Sequence, residues 1–194
     1  RARPELVALF PGGAASADSR ASDVFFTNGQ TVAVNELLNF QQGLGAPKYR
    51  NVTQTGQPGS DLEFPDTDYP MFRLADAYLI YAEAVVRGGG GNPATALNYV
   101  NALRTRAYNG PAGNISQAQL TLDFILAERG RELLWEAHRR TDLIRYGRFT
   151  GGTYIWNFKG GQPAGTSVGA HLNLYPIPSS ELLSNPNMTQ NPGY

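Results

Sequence analysis

Apolar residues recur every three or four positions between residues 72 and 107, and this spacing predicts two α-helices. The first is expected to follow Asp68 and Pro70, a capping residue and a first-turn proline, and to end at the glycines of 88–91. The second is expected to begin in the same way at Asn92 and Pro93. The inward faces are predicted as Phe72, Ala75, Leu79, Ala82 and Val86 in the first helix, and Ala96, Leu97, Val100, Leu103 and Ala107 in the second.

A third helix is predicted to begin at Thr121, with Leu120 and Ile125 placed as a hydrophobic staple around this capping residue. The pattern continues through Leu134 and Ala137 and is expected to break before Asp142. Two helices joined by a tight turn, with alanines at the crossing, are typical of tetratricopeptide-type arrays, in which each pair stacks on others. The fold class is therefore predicted as mainly α. A helical module that binds a partner protein is the alternative function for such a scaffold.

The remaining segments lack periodicity and contain most of the 22 glycines and 13 prolines of the chain. Residues 16–22 are expected to form a loop, residues 23–27 a short strand, and residues 31–42 a weak helix. Residues 147–170 are expected to form a long glycine-rich loop. The predicted organisation is a loop-rich segment, 1–67, that packs on a helical region, 68–194.

Charge and cysteine content narrow the function classes. Lys and Arg together number 16, as do Asp and Glu, so the net charge is zero. A nucleic-acid binder would need a basic excess, so that class is excluded. A charged fraction of 16% with 11% aromatic residues suits a surface that contacts neutral polar ligands such as sugars, or one that packs on another surface. The absence of cysteine excludes disulfides, a thiol nucleophile and cysteine-based metal sites.

Charged residues concentrate between positions 128 and 145. On one continuous helix, five of them would share about one third of the circumference: Glu128, Glu132, Glu136, Arg139 and Asp142. One interpretation is a pair of carboxylates for acid–base catalysis, as in glycoside hydrolysis. The other is a structural ladder of carboxylates and arginines, which includes Arg145. The interleaved arginines favour the ladder, because they would keep the carboxylates ionised and therefore poor general acids.

No metal or cofactor is expected. His138 and Asp142 lie four residues apart, but no third ligand follows at a metal-binding spacing. Four carboxylates occur between Asp61 and Asp68 and could hold calcium, although the segment lacks the glycine and the terminal glutamate of an EF-hand loop. Calcium at this segment therefore stays an open alternative.

Three aromatic residues alternate along the glycine-rich loop, at Tyr154, Trp156 and Phe158. Flat aromatic faces suit the apolar C–H patches of sugar rings, and the neighbouring Asn157 could bind hydroxyl groups. These four residues are the candidate ligand-binding set. The alternative is that the aromatic side chains only attach the loop to the body of the protein.

Four motifs occur in the order seen in one protein family. Residues 128–147 resemble the Glu-Arg-x-x-Glu-Leu … Glu-Gly-x-Arg-x-x-Asp-Leu-x-Arg-Trp-Gly signature of the SusD/RagB family, with Gly130, Ala137 and Tyr146 as departures. Residues 68–84 resemble the preceding helix, and residues 98–107 its Leu-Asn-x-Val-Arg-x-Arg-Ala helix. Residues 175–178 and 190–194 are similar to the closing Pro-Ile-Pro and Gln-Asn-Pro-Gly-Tyr motifs.

The resemblance implies a SusD-like α-α superhelix in which this chain corresponds to the C-terminal part. It also implies a non-catalytic lipoprotein at the surface of a Gram-negative outer membrane, anchored through an N-terminal region absent from this chain. Such proteins bind oligosaccharides or polysaccharides, or sometimes other nutrient oligomers such as peptides, and deliver them to a TonB-dependent transporter. Because ligand residues vary within the family, the resemblance assigns no ligand-binding residue here.

Overall fold

The computed structural model describes all 194 residues and is mainly helical. It contains seven α-helices: α1 (Pro4–Val7), α2 (Ser19–Val24), α3 (Leu74–Val86), α4 (Pro93–Ala107), α5 (Leu122–Glu132), α6 (Arg139–Arg145) and α7 (Ser179–Ser184). Short 3-10 turns lie at Gly13–Ala15, Pro111–Gly113, Gln117–Gln119, Lys159–Gly161 and Ala170–Asn173. β-Pairing is confined to isolated bridges, such as that between Phe26 and Gly45. None of the helices combines the length and the apolar character that crossing a membrane would require.

The chain divides into two compact units, Arg1–Arg139 and Arg140–Tyr194. The first holds α1 to α5 and both apolar clusters, whereas the second consists of most of α6, the long glycine-rich loop and the C-terminal segment with α7. The organisation into 1–67 and 68–194 stays a prediction.

The helix pair predicted from the apolar spacing is confirmed. α3 packs against both α4 and α5. The buried cluster between the three helices consists of Ala75, Leu79, Ala82, Ala96, Val100, Leu103, Leu120 and Ile125. Alanines at the crossing carry little side chain, which allows the helix backbones to approach closely.

The predicted starts of the second and third helices are also confirmed. The Asn92 side-chain oxygen accepts hydrogen bonds from the backbone N–H groups of Ala94 at 2.8 Å and Thr95 at 3.2 Å. The Thr121 hydroxyl accepts one from Phe124 N–H at 3.2 Å. These oxygens satisfy backbone donors that have no partner within the helix, which is the physical basis of the capping signal.

The predicted start of the first helix is wrong. α3 begins at Leu74, and Asp68 and Pro70 lie in an irregular segment ahead of it. Arg73 has extended backbone angles (φ −148°, ψ 156°), and its guanidinium is bound to the carboxylates of Glu132 and Glu136. This attachment holds the backbone extended just before the helix, so Phe72 is 88% exposed and does not join the core.

Three predictions for the N-terminal segment are wrong as well. The loop and strand expected over residues 16–27 are replaced largely by α2, in whose first turn the Arg20 N–H donates to the Asp18 carboxylate at 3.1 Å. Residues 31–42 form no helix, and an isolated bridge joins Thr31 to Gln42. A second apolar cluster holds this region together, formed by Ala2, Val7, Phe10, Ala21, Val24, Phe25 and Leu44.

The third helix is shorter than its apolar pattern predicts. α5 ends at Glu132, and both Trp135 (φ 60°) and Ala137 (φ 59°) adopt the left-handed conformation before α6 begins at Arg139. The geometry of one continuous helical ladder from residue 128 to 142 is therefore wrong. The two reversals of the backbone direct the Glu136 side chain into the protein, where it is 2% exposed.

Candidate functional site

The predicted charge ladder has its centre at Glu128. Its carboxylate is fully buried and lies 2.9 Å from a guanidinium nitrogen of Arg20, 2.9 Å from Arg104 and 2.6 Å from Arg131. Burial by itself would raise the pKa of this carboxyl, but the positive charges of Arg131, Arg20 and Arg104 outweigh burial and lower it. Glu128 is therefore ionised at neutral pH.

Glu132 continues the network one helical turn later. Its carboxylate oxygens lie 2.7 Å from Arg20, 2.6 Å from Arg73 and 2.6 Å from Arg106. Burial opposes ionisation here too, but hydrogen bonds from Arg106 and Arg73 and the charge of Arg20 lower the pKa of Glu132 to about 2. Four segments of the chain, at residues 20, 73, 106 and 132, are thereby joined at one carboxylate.

Glu136 belongs to the same network although it lies beyond the end of α5. Arg73 donates to Glu136 through Nε at 2.6 Å and through Nη2 at 2.8 Å, and the Lys48 ammonium binds the same carboxylate. Lys48 also donates to the Leu134 carbonyl at 2.6 Å. Burial tends to raise the pKa of Glu136, and the bonds from Arg73 and Lys48 lower it overall.

The three glutamates are poorly arranged for acid–base catalysis. A general acid must hold a proton near neutral pH, and all three carboxyl pKa values are lowered. Each side chain is at most 2% exposed, and each faces arginine or lysine nitrogen atoms rather than an open cleft. The geometry is that of a set of buried ion pairs that fixes five segments of the first unit to one another, at residues 20, 48, 73, 104–106 and 128–136.

The other members of the predicted ladder lie elsewhere. Arg139 follows the backbone reversal at residues 135–137, and its guanidinium donates to the Leu126 carbonyl at 2.7 Å. In the second unit, Asp142 pairs with Arg145 at 2.8 Å, three residues along α6. Of the cations that pair with the glutamates, Arg131 is one of the interleaved arginines of the predicted ladder. The partners from other segments were not identified from the sequence: Arg20, Lys48, Arg73, Arg104 and Arg106.

The acidic segment between Asp61 and Asp68 forms turns. Asp61 accepts hydrogen bonds from the backbone of Glu63 at 2.7 Å and Phe64 at 3.0 Å, and Asp66 accepts from the Ser60 backbone at 2.6 Å and its hydroxyl at 2.7 Å. These bonds stabilise the charged form and lower the pKa of both carboxyls. No group of three or more His, Asp or Glu side chains is arranged to hold a metal ion.

Two of the candidate aromatic residues come together in the second unit. The Trp156 ring stacks on Phe149 with 5.7 Å between centroids, and it lies 6.2 Å from the ring of Tyr154 at a tilt of 52°. Arg140 continues the stack, with its guanidinium carbon 4.9 Å from the Phe149 centroid and 3.9 Å from that of Tyr175. Tyr154 and Trp156 are both partly buried.

Lys159 anchors this loop through hydrogen bonds to its backbone. Its side chain is 1% exposed, and its ammonium donates to the carbonyl oxygens of Gly151 at 2.8 Å and Tyr154 at 2.7 Å. The same nitrogen lies 4.6 Å from the Trp156 ring centroid, within the range of a cation–π contact. Burial lowers the pKa of this amine. The sequence interpretation missed Lys159, although a lone lysine inside an aromatic and glycine-rich loop was an available signal.

The other two candidates hold the loop rather than extend the stack. The Asn157 amide donates to the Pro163 carbonyl at 2.6 Å and so bridges the loop. Phe158 is half-buried and has a positive φ of 63°, at the point where the chain turns into Lys159. The rings of Tyr154 and Trp156 pack on neighbouring groups, as the interpretation of loop attachment expects, and ligand binding by the four candidate residues stays a prediction.

A separate cavity of about 460 Å³ lies in the first unit, and the sequence did not point to it. It is lined by Lys48, Tyr49, Arg50, Asn51, Val52, Thr53, Gly59, Asp66 and Thr67. Asn51 and Asp66 already use their polar atoms to hold the surrounding loop. These two polar side chains of the wall are therefore engaged by the loop itself.

Comparison with known proteins gives consistent matches. The family model described as the SusD family matches residues 16–194. The chain is 41% identical over 165 residues to the starch-binding protein SusD of Bacteroides thetaiotaomicron, a match that covers 84% of this chain and 28% of that protein. The chain thus spans less than a third of the length of this curated relative.

Solved structures share the fold. A SusD superfamily protein from Bacteroides vulgatus is 29% identical with a TM-score of 0.63, and the match covers 92% of this chain and 36% of that one. Surface glycan-binding protein A from Bacteroides uniformis is 25% identical with a TM-score of 0.65, covering 97% and 40%. The mainly helical architecture predicted from the sequence is the architecture of these structures.

Proposed function

This chain belongs to the SusD family, and from that membership we propose that the protein binds glycans without hydrolysing them. Two proteins to which it is similar are named for such ligands, a starch-binding protein and a surface glycan-binding protein. Zero net charge agrees with a neutral polysaccharide as ligand, because neither an anionic nor a cationic polymer would gain from long-range attraction.

No catalytic role is proposed for the carboxylates of the protein. Glycoside hydrolysis needs one protonated and one ionised carboxyl on either side of the sugar bond. Glu128, Glu132 and Glu136 are all buried, ionised and paired with cations. A sugar reaching them would have to break several charge-assisted hydrogen bonds, which supports a structural role for these residues.

The aromatic loop is the proposed contact surface. The single observation that carries this assignment is the partly buried Trp156 ring, which stacks on Phe149 and has the Lys159 ammonium 4.6 Å from its centroid. A pre-positioned aromatic face binds the apolar side of a sugar ring without first losing side-chain freedom. Tyr154 extends the surface beside Trp156, whereas Phe158 and Asn157 fix the loop that carries both rings.

The location and partner follow from the family resemblance. We propose that the protein acts at the surface of the outer membrane, anchored by lipid through an N-terminal region absent from this chain. There it would pass bound glycan to a TonB-dependent transporter. Protease treatment of intact cells, followed by co-purification with the transporter, would test both statements. A protein resistant to external protease, or one that never co-purifies with the transporter, would contradict this part of the proposal.

The chain itself offers a clean experiment for the contact surface. It contains two tryptophans, Trp135 and Trp156, so Trp135→Phe leaves Trp156 as the sole tryptophan. Addition of maltoheptaose to this variant should change the fluorescence of Trp156. In calorimetric titrations, Trp156→Ala should weaken binding by about tenfold or more, a loss of about 1.4 kcal/mol or more.

Trp135→Ala is the matched control, because Trp135 is 54% exposed and lies in the other unit. It should leave the affinity unchanged. Equal losses in the two alanine variants, or full binding by Trp156→Ala, would remove the aromatic loop from the proposal. If no member of a panel of neutral oligosaccharides binds the wild-type chain, neutral glycans are excluded as its ligand class.

A further inference from the structure

The most exposed tyrosine of the second unit is Tyr175, which lies outside the four candidate residues of the aromatic loop. It is 69% exposed. The Arg140 guanidinium lies over its ring, with 3.9 Å between the guanidinium carbon and the ring centroid, which is within the range of a cation–π contact. Because this cation covers one face of the ring, most of the exposed surface belongs to the opposite face and to the hydroxyl edge.

Arg140 joins Tyr175 to the aromatic loop. Its Nη2 atom donates to two backbone carbonyl oxygens just before Tyr175, at residues 172 (2.8 Å) and 173 (3.2 Å). Its guanidinium carbon also lies 4.9 Å from the Phe149 ring centroid, and Trp156 stacks on Phe149. Only two side chains therefore separate the Tyr175 ring from the Trp156 ring.

The backbone of Tyr175 is held from the other side by residues near the C-terminal end of the chain. The Tyr175 carbonyl accepts a hydrogen bond from the Asn191 side-chain amide at 2.7 Å. The Gln190 side chain accepts from the Ile177 N–H at 2.8 Å and donates to the Ile177 carbonyl at 2.9 Å. A ring on such a backbone has little conformational freedom left to lose when a ligand covers it.

Other exposed aromatic residues of the chain are not held in this way. Phe64 is 72% exposed and Phe72 is 88% exposed, and neither ring stacks on another ring or lies beneath a cation. Single exposed apolar residues of that kind are normal on a protein surface and need no function. Tyr175 differs because a cation and several backbone hydrogen bonds fix an aromatic ring that stays open to solvent.

The exposed groups of Tyr175 match the chemistry of a sugar. A flat aromatic face covers the apolar C–H side of a sugar ring. The Tyr175 hydroxyl makes no hydrogen bond to another part of the chain, so it can donate to or accept from a sugar hydroxyl. The positive charge beneath the ring is already directed at two carbonyl oxygens, so the open face itself is neutral.

We propose that Tyr175 is a second sugar-binding residue, whose open face stacks on the same glycan that contacts Trp156. This inference rests on the proposed function and deepens it, because it gives the site two contact points joined through Arg140 and Phe149. One chain that reaches both points gains from each of them, so the ligand is an oligosaccharide rather than a single sugar.

Calorimetric titration with maltoheptaose tests the contact. Tyr175→Ala should weaken binding by about tenfold or more, because the stacked ring is lost. Tyr175→Phe keeps the ring and loses only the hydroxyl, so it should weaken binding by no more than about threefold. One maltoheptaose should bind per chain. Tyr69→Ala is the matched control, because Tyr69 is 54% exposed and lies in the first unit, and it should leave the affinity unchanged.

Fluorescence separates a direct contact from an indirect effect on the loop. In the Trp135→Phe background, where Trp156 is the sole tryptophan, Tyr175→Ala should leave the emission of the ligand-free protein unchanged. A shifted emission would overturn the proposal, because Tyr175 would then only position Trp156. Tyr175→Leu is the second variant, since it keeps an apolar side chain without a flat ring, and it should weaken binding as much as Tyr175→Ala.

The outcomes distinguish this inference from the proposed function. If Trp156→Ala weakens binding and Tyr175→Ala does not, the second contact is overturned while glycan binding by the aromatic loop stands. Two maltoheptaose molecules per chain would also overturn it, because the two rings would then belong to separate sites. If no neutral oligosaccharide binds the wild-type chain, the proposed function and this inference are overturned together.

Discussion

Ala137 adopts a backbone conformation that is unfavourable for an alanine residue. Its φ of 59° lies in the left-handed region, where a Cβ atom crowds the following carbonyl and costs about 1–2 kcal/mol. The SusD/RagB signature has glycine at this position. The requirement is explained by the structure, because the reversal at 135–137 is what directs Glu136 inward onto Arg73 and Lys48.

Ala137→Gly should therefore stabilise the chain. Relief of backbone strain exceeds the entropy that glycine adds to the unfolded state, and the net gain is about 0.5–1 kcal/mol. Ala137 is exposed, so no packing is lost. The measurement is the free energy of unfolding in urea.

Ala102→Gly is the control with the opposite sign. This residue is exposed in the interior of α4, where glycine should destabilise by about 0.5–1 kcal/mol. A destabilising effect at both positions would show that the left-handed geometry of Ala137 costs nothing in solution.

Gly130 is explained in the same way. It departs from the family signature by lacking a side chain, and the space beside it is occupied by the ends of two others. A Cβ atom built there would lie 2.6 Å from Leu9 Cδ1 and 3.1 Å from Arg139 Nη1. The lack of a side chain at Gly130 therefore leaves the space that the ends of the Leu9 and Arg139 side chains occupy beside α5.

Among the elements, the loop over residues 151–168 is held by interactions that periodicity does not describe. A single bridge joins Gly151 to Val168, and the Lys159 ammonium binds two carbonyl oxygens inside the loop. Such a loop has few apolar contacts of its own, so individual hydrogen bonds determine whether its aromatic rings are ordered.

Lys159→Met tests whether the hydrogen bonds of the Lys159 ammonium order the loop. The substitution keeps an unbranched side chain but leaves the carbonyl oxygens of Gly151 and Tyr154 without their donor, at a cost of about 1–3 kcal/mol. Hydrogen exchange over residues 151–158 should become faster, and the affinity for maltoheptaose should fall although Lys159 is buried away from solvent. The exposed Gln162→Met is the control and should change neither quantity. Unchanged exchange in Lys159→Met would show that the loop is ordered without this lysine.

At the scale of the whole molecule, the ion-pair network links segments that are far apart in sequence. Arg20 bonds Glu132 across 112 positions, and Arg73 bonds Glu136 across 63. Removing one buried partner would leave the other charges uncompensated, so the loss of a single residue is expected to destabilise the whole network.

This network predicts a pH dependence of stability. The Glu132 pKa is lowered from 4.5 to about 2 in the folded chain, so the unfolded state binds the proton more tightly. The resulting stabilisation, on the order of 3 kcal/mol, is present above about pH 4.5 and is lost as the pH falls through about 2. The lowered pKa values of Glu128 and Glu136 act in the same direction.

The check is the free energy of unfolding measured between pH 7 and pH 2. Glu132→Gln should lower stability at pH 7 and flatten the acid-side slope, whereas the exposed Glu36→Gln should leave both unchanged. An acid-side slope of equal size in wild type and Glu132→Gln would locate the pH dependence elsewhere.

Much of the helical scaffold could be predicted from the sequence. The spacing of Leu79, Ala82, Ala96 and Val100 identified the α3–α4 contact, and Asn92 and Thr121 identified two helix starts. The aromatic loop was also recognised, because alternation and glycine content are visible without a structure. For α3, the same local reasoning placed the start too early, since the long-range bonds of Arg73 override the capping preference of Asp68.

The sequence by itself therefore determined the helix pair, the caps at Asn92 and Thr121, and the family, because periodicity, capping and motif order depend on neighbouring residues. Only the tertiary structure decided where α5 ends, which cations neutralise Glu128 and Glu132, and that Lys159 holds the aromatic loop. Ion pairs and buried hydrogen bonds act over a few ångströms in space between residues that are often far apart along the chain. A sequence states which charges exist, but the fold alone brings them within that range.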